Sequence, residues 1–125
     1  MQTILHTTRR PDVSFYPGGK IDITARVARL LDMHQGDVID VAIYGKEFLL
    51  FVRVRQASGN HEAMVRPTKR RSNNFRCYSR RLCQFMISQH CASANTPLRV
   101  PAGRVRQHEV YGTMVSLVTL LNINK

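Results

Sequence analysis

The sequence predicts a β-rich α+β fold, in which two hairpin-helix-hairpin units share one core on a single barrel-like sheet. Two repeated patterns carry that expectation. Thr24 is followed by Val27, Leu30 and Leu31 at offsets of three, six and seven, and Ser79 by Leu82, Phe85 and Met86 at the same offsets. A hydroxyl residue ahead of a single apolar stripe reads as a capped helix with one face turned to a core. Ile43-Tyr44-Gly45 before the apolar run Phe48 to Val52 is echoed by Val110-Tyr111-Gly112 before Val115 to Leu121, so a Gly-turned hairpin follows each helix.

Taken in order, residues 1–12 form an arm closed by Arg9-Arg10-Pro11. Val13 to Tyr16 is a short β-branched and aromatic run, Pro17-Gly18-Gly19 a turn, and Lys20-Ile21-Asp22-Ile23 alternates at the strand period, which makes a hairpin. A helix over 24–33 follows, with Gly36 at its exit. Val38 to Tyr44 alternates again, with Ile39, Val41 and Ile43 on one face, and Gly45-Lys46 reverses the chain. Phe48 to Val54 is too continuously apolar for a strand with one wet face and is expected to be covered on both. The first unit thus spans 13–55, and 56–64, with Ser58-Gly59-Asn60, is a linker.

The second unit spans 65–121. Arg66-Pro67 repeats Arg10-Pro11, and Asn73-Asn74 stands where Gly18-Gly19 stood, Asn being tolerant of left-handed turns. Phe75 and Cys77 are the inward positions of the next strand, one residue out of step with the helix alignment, and the helix covers 79–90. About twelve residues are inserted between this helix and its hairpin turn, marked by Pro101-Ala102-Gly103. Val27, Leu30, Leu31, Leu82, Phe85 and Met86 are the expected core.

A chain of 125 residues is one domain, and halves of this size are marginal without a shared core. No apolar run approaches a membrane span, and Met1 to Arg10 lacks the apolar stretch of a secretory signal, which predicts a soluble, cytoplasmic protein with no membrane partner. Cys77, Cys83 and Cys91 are an odd count and read as reduced thiols. With no close Cys-x-x-Cys pair, no metal or other cofactor is expected. The acids and the five histidines are scattered, with no paired-carboxylate, nucleophile or phosphate-loop pattern, so the chain is not read as an enzyme.

The net charge of +11 is one-sided. Residues 1–61 carry eight Lys and Arg against six acids, whereas 62–125 carry eleven against two. Lys69, Arg70, Arg71, Arg76, Arg80, Arg81, Arg99, Arg104 and Arg106 concentrate positive potential that would attract a polyanion, and the arginine fork suits phosphates or base edges. A solvated face, or an anchor for an acidic protein, is the plainer reading of the same charges.

The stretch from Gly19-Lys20-Ile21-Asp22-Ile23 through Arg26-Val27-Ala28-Arg29-Leu30-Leu31 to Gly36-Asp37-Val38-Ile39-Asp40-Val41 resembles the AbrB/MazE/SpoVT swapped-hairpin family of DNA-binding proteins. The resemblance covers roughly 13–55 directly and 65–121 through the internal repeat. It implies a barrel of two units, here fused as a pseudo-dimer on one chain, and a transcriptional regulator or architectural factor that binds duplex DNA. By position, Lys20 and Arg29 match basic residues of that family. Arg26 stands where an acid is common and Thr24 where proline is, and the second unit has Arg81 and Gln84 at the places of Arg26 and Arg29. Lys20, Arg26, Arg29, Lys69, Arg70, Arg71, Arg76, Arg80 and Arg81 are therefore the candidate DNA contacts. The fusion implies a folded monomer, with a homodimer as the alternative. An antitoxin-like module that binds a protein partner, or an RNA-binding accessory protein, are the other functions left open.

Overall fold

A computed structural model describes residues 11–69, 72–90 and 93–121. Residues 1–10 of the expected arm lie outside the described residues, as do Arg70, Arg71 and Cys91, whereas Asp12, read as the end of the arm, is buried and bonded into the fold. Among the described residues the strands are β1 (Val13–Phe15), β2 (Lys20–Ile23), β3 (Val38–Tyr44), β4 (Glu47–Val54), β5 (Arg66–Pro67), β6 (Phe75–Tyr78), β7 (Leu98–Val100), β8 (Ala102–Val110) and β9 (Thr113–Leu120). The helices are α1 (Ala25–Leu30) and α2 (Arg80–His90). No helix among them is long and apolar enough to cross a membrane.

Among the described residues the strands make two antiparallel sheets and no closed barrel. One has the order β5-β6-β2-β1-β7 and the other β3-β4-β9-β8. The single barrel-like sheet read from the sequence is corrected here, for a reason visible in the connections. After α1 the chain re-enters in the four-stranded sheet as β3, whereas after α2 it first returns to the edge of the five-stranded sheet as β7 and crosses to the four-stranded one at β8; the isolated bridge between Val38 and Met64 lies at the first of these junctions.

Strand alternation sets the main core. Val13, Phe15, Ile21, Ile23, Cys77, Leu98 and Val100 point inward from the five-stranded sheet and meet Ile39, Leu50, Val52, Val118 and Leu120 of the other. Both helices insert apolar faces into this layer, through Val27, Ala28 and Leu31 on one side and Cys83, Met86 and Ile87 on the other. Residues of both halves thus share one core. The far face of the four-stranded sheet buries a second cluster of Leu49, Phe51 and Leu117. Its edge strands curl toward each other over that cluster: the Tyr44 and His108 rings are 5.4 Å apart, and Arg106 reaches Glu47 at 3.2 Å. The continuous apolar run in β4 is explained, since both its faces are covered.

Three local expectations change. The stripe of α2 is rotated, so that Cys83 and Ile87 are buried with Met86 while Phe85 is 38% exposed, its ring lying against Phe48. Leu30 and Leu82 are half-buried at the margin of the core. Ser79 caps α2 as expected, accepting from Leu82 N at 3.1 Å, but Thr24 makes no cap bond. The first turn of α1 is satisfied from the other half of the chain instead, by Asn74 Oδ1 accepting from Ala25 N at 2.8 Å.

Candidate nucleic-acid interface

The alternation that buries one face of the five-stranded sheet brings a set of polar side chains together on the other. Cross-strand register aligns Arg66 with Arg76, Arg76 with Asp22, Asp22 with Ser14, and Ser14 with Arg99, one continuous row over all five strands. A second row sets Tyr78 opposite Lys20. None of these side chains is buried, and both helices put their buried residues into the core on the opposite side of the sheet. Four cations share the surface with the single carboxylate of Asp22. At the usual strand spacing the row from Arg66 to Arg99 extends roughly 19 Å.

The side chains are held rather than loose. Arg76 donates from Nε to Asp22 Oδ1 at 2.6 Å and from Nη2 to Oδ2 at 3.3 Å. That pairing raises the Arg76 pKa above its ordinary value, with the Tyr78 hydroxyl adding in the same direction. Lys20 Nζ sits 4.2 Å from the centre of the Tyr16 ring and the Arg99 guanidinium 5.8 Å from it, so one aromatic ring spaces two cations by cation-π attraction. Tyr78 presents its ring at 62% exposure. A groove of about 410 Å³ between Tyr78, Arg76, Arg66 and His61 flanks one end of the face, and another of about 280 Å³ runs past Arg76, Asp22, Ser14 and Lys69.

The nine residues proposed from sequence are therefore not one cluster. Lys20 and Arg76 are on the face and Lys69 borders it. Arg80 begins α2 against the turn before Lys20, where the backbone of Arg80 leaves room only for the hydrogen of Gly19. Arg81 is tied to Glu62 at 2.6 Å and remains 87% exposed. Glu62 also accepts from the Ser79 hydroxyl, and the two bonds, Arg81 first, hold its carboxyl below the ordinary range. Arg26 is drawn to the largely buried Asp12 at 3.0 Å and to the Ala102 carbonyl, a structural role. Arg29 is exposed on α1 beside Asn73 and Phe75, away from the row.

The contacts named from sequence do not include Arg66, Arg99, Tyr16 or Tyr78, although Arg99 is counted among the cations of the second half. For Arg99 a signal was present: Leu98-Arg99-Val100 alternates at the strand period, but it lay within the segment read as an insertion. That segment pairs with β1 and widens the sheet.

No set of three or more His, Cys, Asp or Glu among the described residues gathers closely enough to hold a metal ion. Cys77 and Cys83 are buried, and desolvation pushes both thiols up, that of Cys83 to about 11, so neither is a nucleophile near neutral pH. The arrangement is suited to binding an anion-rich partner by charge, stacking and arginine hydrogen bonds. Comparison of the chain with known protein families, curated proteins and solved structures finds no match.

Proposed function

We propose that this chain is a DNA-binding protein, a regulator or architectural factor that docks on duplex DNA with the outer face of its five-stranded sheet. The observation that carries the reading is the row Arg66, Arg76, Asp22, Ser14 and Arg99, with Lys20 alongside, on a broad surface with no described element over it. The adjacent strands β6 and β2, which carry Arg76 and Asp22, make a two-stranded ribbon of the kind that a major groove about 12 Å wide admits. Arg66 and Arg99, on the outer strands, then overlie the phosphates on either side. Lys69 and Arg80 extend the positive track.

The swapped-hairpin reading is part of the same proposal. Its support is the strand order: β2 and β6, one from each half, are adjacent in one sheet, and β4 and β9, again one from each half, form the central pair of the other. Two units on separate chains that exchange hairpins would bring their halves together at such pairs, and here a single chain supplies both. Single-stranded RNA is the second reading, favoured by the exposed Tyr78 ring beside its groove, because unpaired bases stack on aromatic side chains of open sheets.

Fluorescence anisotropy with duplex DNA, single-stranded DNA and single-stranded RNA of equal length and label distinguishes these. Duplex DNA binds most tightly under the proposal. A preference for single-stranded RNA, lost on Tyr78→Ala, would replace it by the second reading, and absence of binding to all three would remove both.

A further inference from the structure

The position of Arg76 extends the proposed DNA binding and rests on it. Arg66 and Arg99 lie at the two edges of the row, whereas Arg76 lies on β6 beside Asp22 on β2, within a two-stranded ribbon that a groove admits. Its guanidinium is fixed by the two bonds to Asp22, at 2.6 and 3.3 Å. Those bonds use two of the five N–H donors of arginine, and with the Tyr78 hydroxyl also hydrogen-bonding the guanidinium two donors remain, on a planar fork already oriented. Asp22, in turn, has acceptor capacity beyond the two bonds to Arg76. The face thus presents donors and acceptors side by side at its centre.

We infer that Arg76, buttressed by Asp22, reads a G·C base pair in the major groove. The chemistry is complementary. Guanine offers the acceptors O6 and N7, which a fixed arginine satisfies with two parallel N–H donors, and its partner cytosine offers the N4 amino donor, which a carboxylate accepts. No other base pair presents two adjacent acceptors on one base beside a donor on the other. Asp22 also makes the contact selective: over an A·T pair it would face a thymine O4 acceptor, and the repulsion would count against the wrong sequence. The edge cations position, and the central pair specifies. The plainer role for the pair is to stabilise the β2–β6 ladder alone, which opposite charges across strands do weakly.

The test is selection of a binding site from a randomised duplex pool, followed by affinities for the selected duplex and for the same duplex with its recognised guanine replaced by 7-deazaguanine. Native protein selects a site with a fixed G·C pair, and loss of N7 weakens binding about 5- to 150-fold, as expected for a bidentate contact. Arg76→Ala is insensitive to the deaza substitution. Asp22→Asn keeps the salt dependence of binding but tolerates other base pairs at that position. Circular dichroism and thermal unfolding check that the variants are folded, and Arg76→Lys, which retains the charge without the fork, gives the same loss of guanine preference. Salt-dependent duplex binding without a fixed G·C pair, or with one that survives Arg76→Ala and Arg76→Lys, overturns this inference and leaves the proposed function standing. Failure of the native protein to bind duplex DNA overturns both.

Discussion

Single side chains do structural work at several positions that the charge pattern alone would assign to binding. Asp37 is fully buried, yet its carboxylate accepts from the backbone N–H of His34 and Gln56 and from Arg55, which ties the exit of α1 to the end of β4. Glu62 is the equivalent clamp at the start of α2, through Ser79 and Arg81. Ser79→Ala is expected to cost about 1 kcal/mol in chemical denaturation, the usual loss for a helix cap. Asn74→Ala is expected to cost a similar amount, about 1 kcal/mol, and Thr24→Ala less, because Asn74 and not Thr24 satisfies the first turn of α1. The carboxyl of Glu62 is lowered on folding, so its contribution is present above the ordinary value of 4.5 and is lost as pH falls through the folded value. Thermal unfolding as a function of pH checks this: Glu62→Gln flattens the acid limb and leaves the neutral plateau only slightly lower.

Elements were legible where a short-range pattern decides them and obscure where a distant partner does. The β1–β2 hairpin, the Gly45 reversal and the two helices follow from turn residues and apolar spacing, and all are found close to the expected positions. The phase of α2 did not follow, because Leu82, Phe85 and Met86 are as well spaced as Cys83, Met86 and Ile87. The difference is decided by β1, β2 and β7, against which the helix packs. The outer face of the five-stranded sheet was half legible: Lys20 and Arg76 stand out as cations, but Arg66 and Arg99 reach the row only through pairings with β6 and β1. Leu31→Ala is expected to destabilise by about 2–5 kcal/mol and Phe85→Ala by distinctly less, since only the first is enclosed. Equal losses would restore the stripe read from sequence. Gly19→Ala is expected to cost about 1–3 kcal/mol, because Gly19 has φ +109° and an added Cβ would meet the Arg80 backbone at 3.2–3.3 Å.

At the scale of the whole molecule, one core holds residues from both halves, and both sheets join strands of both halves at adjacent positions. A single chain therefore closes its own core, and its unfolding midpoint is expected to be independent of protein concentration over a hundred-fold dilution in differential scanning fluorimetry. A midpoint that rises with concentration would indicate an obligate dimer. Among the described residues the cations do not gather into one lobe: Arg26, Arg81 and Arg106 are held by Asp12, Glu62 and Glu47. The face we propose for a polyanion carries Lys20, Arg66 and Arg99 together with the Asp22-paired Arg76, and is bordered by Lys69 and Arg80. The most direct test of that claim is the salt dependence of duplex affinity. If about five phosphates are neutralised, the logarithm of the association constant falls against the logarithm of salt concentration with a slope of about −4 to −5, and Arg66→Ala with Arg99→Ala makes it shallower by about 2. A slope near zero, or a slope unchanged in the folded double variant, would contradict the account.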